Sequence, residues 1–121
     1  MDKQYFIYMT TNLLNGMKYI GYHYGYENDS YLGSGTYILR AIKQYGRKNF
    51  KREILEFCIS KEDAFKKEKY WIKYYNAVND KMFYNFSEGG EKDSGWECAN
   101  RWWKEHPEKA KIIHQKNIEK L

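Results

Sequence analysis

The sequence predicts an α+β fold: a small, mainly antiparallel sheet flanked by helices in the order β-β-α-β-α-β. Three observations carry this. Two aromatic and β-branched runs flank an Asn-Gly pair near the N-terminus. Apolar residues then recur at helical spacing in two separate stretches. Further strand-like runs follow each of those stretches. With 121 residues and no long Pro, Gly or Ser tract, the chain reads as one compact domain over residues 1–90 plus a short helical extension over residues 91–121.

Taken in order, residues 4–10 and 17–22 form a β-hairpin with Asn15-Gly16 in its connection. Gly25, Asn28, Asp29, Ser30, Gly33 and Gly35 then mark a loop. Ile38, Leu39, Ile42 and Tyr45 define a short helix that starts near Thr36 and stops at Gly46. Residues 51–58 read as a third strand, although Lys-Arg-Glu-Ile-Leu-Glu-Phe-Cys alternates imperfectly. Ser60 and Asp63 resemble a capping box that opens a second helix over about residues 61–76. Residues 83–86 give a last short strand before Gly89-Gly90, and Pro107 stands near the start of a final helix.

A mean hydropathy of -0.94 beside 42% hydrophobic residues reflects 13 tyrosines, which bury a ring and keep a polar tip wet. No run approaches the roughly 18 to 20 apolar residues of a membrane span, and Met1-Asp2-Lys3-Gln4 leads into a strand rather than a signal peptide. A cytoplasmic protein is expected. Cys58 and Cys98 lack the spacing of zinc or redox sites and read as reduced bystanders. Residues 36–56 hold Arg40, Lys43, Arg47, Lys48, Lys51 and Arg52 against Glu53 and Glu56, a local charge of +4 within a net +5. That segment is either a solvated face or the footprint of a polyanion.

Glu68 is the most telling position. Ala64, Trp71, Ile72 and Tyr75 share its face of the second helix, so a carboxylate sits within an apolar stripe, where desolvation demands a compensating partner. The alternative is a carboxylate at the stripe's edge, reaching water or a lysine such as Lys67 or Lys69. In the second strand Met17, Tyr19, Gly21 and His23 point to one face if the extended conformation persists. Gly33-Ser34-Gly35, just ahead of a helix, suits either an anion site or a simple turn.

Together, Phe6-Ile7-Tyr8, a gap of ten residues and Tyr19-Ile20-Gly21 resemble the two halves of the GIY-YIG nuclease motif. The resemblance continues through the helix ending at Gly46, the run from Glu68 to Lys73, and Tyr84-Asn85 before Gly89-Gly90. The Tyr31-Leu32-Gly33-Ser34-Gly35 and Ala41-Ile42-Lys43 stretches are similar to phage-type homing endonucleases of that family.

The resemblance implies an endonuclease that hydrolyses phosphodiester bonds of double-stranded DNA with a divalent metal, Mg2+ or another such as Mn2+, held through Glu68. It implies that one of Tyr8 and Tyr19 helps deprotonate water while the other supports the phosphate or leaving group; which does which stays open. Asn85 matches the family asparagine. An arginine usually stands about ten residues after the second motif tyrosine, and here that position is Asp29. The cationic role then falls to His23 or Arg40, with Lys43 as a third candidate. Lys43, Lys48, Lys51 and Arg52 are expected to contact DNA, and Trp96, Trp102 and Trp103 either pack on the domain or dock on DNA. Two other readings remain: a nucleic-acid-binding module of the same fold that has lost catalysis, and an aromatic-rich protein-interaction domain.

Overall fold

The computed structural model describes residues 2–86. The expectations for Gly89-Gly90, Cys98, Pro107, the three tail tryptophans and a final helix lie outside them. Strands β1 (Gln4–Asn12) and β2 (Lys18–Gly25) form the hairpin, and β3 (Phe50–Cys58) pairs with the other edge of β1, so the antiparallel sheet has the order β2-β1-β3. Side chains hold the turn: Asn12 Oδ1 accepts from the Leu14 N–H and Asn15 Oδ1 from the Met17 N–H. The central strand is covered on both faces, and its residues 6–10 are all buried.

Helix α1 (Thr36–Tyr45) buries Tyr37, Ile38, Ala41, Ile42 and Tyr45 against Met17, Phe50 and Tyr84. Helix α2 (Lys61–Tyr74) starts at Ser60, whose Oγ accepts from the Asp63 N–H at 3.0 Å. The Asp63 carboxylate returns a bond to the Ile59 N–H at 3.0 Å, so the capping exchange reaches one residue further out than a capping box does. Ile72 of α2 packs with Ile7, Met9, Ile20 and Phe83 on the face opposite α1. The helix ends two residues earlier than its pattern suggests, and Asn76 turns the chain at φ 54°.

The imperfect alternation in β3 has a cause. Ile7 pairs with Glu56 while Tyr8 pairs with Ile54, which leaves Leu55 as the extra residue of a β-bulge. Before it, Phe50, Arg52 and Ile54 share the face of Tyr8; after it, Phe57 takes that face beside Phe6. The last expected strand needs correction: residues 83–86 make one parallel bridge, Lys18 with Phe83. Beyond the bridge a side chain replaces the ladder, because Asn85 Oδ1 accepts from the Ile20 N–H at 3.0 Å while its Nδ2 donates to the Ile20 carbonyl at 2.8 Å. The carboxamide does what a paired peptide group does at an edge strand.

Candidate active site

Cross-strand register puts Tyr8 opposite Gly21 and Thr10 opposite Tyr19, so the two motif tyrosines share one sheet face. Their ring centroids are 6.3 Å apart. Tyr8 lies across β2 because Gly21 has no side chain: a Cβ there would stand 2.6 Å from the Tyr8 hydroxyl. Tyr19 in turn beds on the Gly33-Ser34-Gly35 stretch, where a Cβ on Gly35 would stand 3.0 Å from its hydroxyl. That stretch, read as a turn or an anion site, is first of all the cradle of Tyr19.

Burial, followed by the neighbouring Tyr19 and Tyr31, holds the Tyr8 hydroxyl well above the usual phenol range. Burial and then the Glu68 charge do the same to Tyr19, against a main-chain hydrogen bond with Gly35. Both are neutral phenols at physiological pH and offer O–H donors.

Glu68 is 9% exposed and lies with Ala64 and Ile72 on the buried side of α2. It lines a cavity of about 140 Å³ together with Tyr19, Ser34, Gly35, Asn85 and Phe86. Its neighbour Lys67 is engaged elsewhere, with Glu56 at 3.1 Å and Asp63 at 3.2 Å. Asn85 stands in the cavity wall with its carboxamide bonded to Ile20, so it fixes the main chain beside Tyr19.

His23 shares the face of Tyr19 and stacks on Tyr31, with ring centroids 3.9 Å apart and planes 4° from parallel. Its Nε2 lies 2.8 Å from Asp29 Oδ2. Burial raises the Asp29 carboxyl, but bonds from Arg52, His23 and the Tyr31 and Tyr26 N–H groups outweigh it and hold the group well below the usual carboxylate range. An ionised carboxylate only accepts, so the shared proton of this pair is on His23 Nε2. Tyr31 closes the circuit, meeting the Tyr8 ring edge-on at 5.8 Å.

Arg52, expected to contact DNA, is turned toward the loop at residues 26–31. Its side chain is only 6% exposed, and its guanidinium donates to Asp29 Oδ1, to the Tyr31 carbonyl and to the Tyr26 and Glu27 carbonyls. A planar fork with five donors suits this loop-clamping role. Arg40 is exposed and stands 5.9 Å from the Tyr37 ring, which packs on Phe86 of the cavity wall. Lys43, Lys48 and Lys51 are exposed. Sequence reasoning missed Tyr31 and the organising role of Asp29. The signal for both was present: Tyr31 opens a stretch of family resemblance, and Asp29 occupies the position of the absent arginine.

The candidate site thus holds two neutral phenols on one sheet face, Tyr19 bordering the cavity that Glu68 lines, and an imidazole oriented by Asp29 that reaches Tyr8 through the Tyr31 ring. Comparison with known proteins then places the chain. It is a relative of the seg endonucleases of Enterobacteria phage T4. Endonuclease segA is 41% identical over 92 residues, 74% of this chain and 41% of segA. SegE, which also carries an endonuclease name, is 46% identical over 87 residues, 71% of this chain and 42% of segE. SegD is 50% identical over 66 residues, 54% of this chain and 30% of segD. The chain therefore spans less than half the length of the seg endonucleases it matches. No family model matches the chain, and no solved structure does. Among the described residues no helix is long and apolar enough to cross a membrane.

Proposed function

We propose that the chain is a metal-dependent endonuclease of the GIY-YIG type, acting on double-stranded DNA and of the homing kind. One observation carries the reading: Tyr8 and Tyr19 share a sheet face 6.3 Å apart, and Tyr19 borders the cavity that Glu68 lines. The endonuclease names of the seg relatives support the substrate class.

The donor set suits a hard divalent cation such as Mg2+ or Mn2+. Among the described residues no three acidic, histidine or cysteine side chains form a cluster, and Glu68 is the carboxylate that they offer at the cavity. Magnesium is commonly held by one or two carboxylates, with substrate phosphate and water filling the rest, and Glu68 is the group that would hold it. Bound there, the ion supplies positive charge against the charge that develops on a phosphodiester under attack. The phenols of Tyr8 and Tyr19 donate hydrogen bonds to phosphate oxygens in the same region. His23, oriented by Asp29, takes a proton at Nδ1 or, once protonated, supplies the cationic group that the family arginine provides. It is better connected to the tyrosines than Arg40, because Tyr31 joins it to Tyr8.

The test is nicking of supercoiled plasmid with and without magnesium, comparing wild type with Glu68→Gln. The variant keeps the fold and metal-free DNA binding and loses cleavage. Full nicking by Glu68→Gln overturns the reading.

A further inference from the structure

The basic segment at residues 36–56 drew attention in the sequence, yet a second cluster of positive charge lies on α2. Lys66, Lys69 and Lys73 are exposed and follow i, i+3, i+7 spacing, which puts them on one side of the helix. With Tyr70, Ile72 and Asn76 they line an open groove of about 630 Å³. Its lining includes no carboxylate, and among the described residues none of the three lysines is ion-paired. Lys67, one position from this side, shows the contrast, because Glu56 and Asp63 occupy it.

We infer that this groove is a phosphate-binding track for one strand of duplex DNA, leading to the Glu68 cavity. Ile72 is in the wall of both the groove and that cavity, so the two spaces are neighbours on α2. The dimensions agree. Seven helical residues rise about 10 Å, and one strand of B-DNA presents about three phosphates over that axial distance. Three ammonium groups on flexible stems match three phosphates as point charges without demanding bidentate geometry. The inference rests on the endonuclease reading and adds to it a surface distinct from Lys43, Lys48 and Lys51.

Binding of a fluorescent duplex to the 121-residue chain, without magnesium and over a range of salt, tests it. Lys66→Ala, Lys69→Ala and Lys73→Ala combined should make the slope of log affinity against log salt less negative by about 2 to 3 and raise Kd about tenfold or more near 0.1 M salt. Arginine at the same three positions should restore both. If the alanine variant keeps the wild-type slope and affinity while the wild type binds DNA, the track is overturned and the endonuclease reading stands. If the wild type shows no salt-dependent binding, both fall. If polyglutamate displaces the duplex at charge-matched concentrations, the groove takes acidic protein surfaces and the inference is overturned.

Discussion

Asp29 stands 2.8 Å from the Nε2 of His23, and Gly25 makes room for the pair: a Cβ on Gly25 would lie 2.4 Å from that nitrogen and 2.6 Å from Asp29 Oδ2. The loop backbone and the imidazole thus share one small space, and the carboxylate decides which ring nitrogen carries the proton.

Asp29→Asn should slow single-turnover nicking by roughly a hundredfold, the lower end of what an oriented acid or base contributes. Duplex binding should stay near wild type. Gly25→Ala should give the same defect, and the double variant should be little worse than either single change, because both break one pair. Wild-type rates in Asp29→Asn would remove His23 from the site.

Arg52→Ala should destabilise the fold by about 1 to 3 kcal/mol, since Asp29 Oδ1 and the Tyr31 carbonyl lose a part-buried charged donor. Its effect on the salt slope of DNA binding should be negligible. Lys48→Ala and Lys51→Ala should instead leave stability unchanged and each reduce the slope by about 0.9. Chemical denaturation and anisotropy titrations separate the two patterns.

The depressed Asp29 carboxyl gives a signed acid dependence. Its folded-state affinity for a proton is below the unfolded one, so its contribution is complete above the ordinary carboxylate range near pH 4 and fades as pH falls below it. The stability difference between wild type and Asp29→Asn should be constant above about pH 5 and shrink progressively under acid. A difference that grows on acidification contradicts the assignment.

Tyr8 and Tyr19 give the opposite limb, because burial first and neighbouring groups second raise both phenols above their ordinary range. The unfolded chain ionises near pH 10 while these two stay protonated in the fold, so stability should fall as pH rises beyond about 10. Phenolate absorbance should show Tyr8 and Tyr19 among the tyrosines that titrate only with unfolding. In Tyr8→Phe one of them should be gone.

Gly21→Ala forces the Tyr8 ring away from its seat across β2. Overpacking of this kind costs about 1 to 3 kcal/mol. Nicking should fall with it, because the displaced hydroxyl loses its place beside Tyr19. Thermal unfolding and single-turnover rates together check this.

Much of the architecture was legible because periodicity and punctuation agree locally. The hairpin, both helices and Glu68 on an apolar stripe are properties of short windows, and the observed elements follow them. What escaped depends on distant partners. Leu55 is a single extra residue, invisible without knowing that β1 is its neighbour, yet it reverses the facing of everything after it. Residues 83–86 look like a strand because their apolar content fits one, while the pairing is taken over by the Asn85 side chain. Arg52 belongs to a basic run that reads as solvated surface, and only the return of the loop at residues 26–31 turns it inward. The tyrosine motif was readable by resemblance; the Tyr31 and Asp29 network that supports it was not.

The clamp from Arg52 to Asp29 spans 23 positions and originates on β3, whereas the residue it helps orient, His23, is on β2. The orientation of His23 is therefore tied to the order of assembly. A chain that has emerged only as far as the hairpin holds both motif tyrosines but neither the guanidinium that closes the loop nor the helix that carries Glu68. The hairpin can form early, since its contacts are local. Arg52 can clamp the loop only once β3 has docked on β1, so it is the finished sheet, and not the hairpin alone, that holds the imidazole aimed by Asp29.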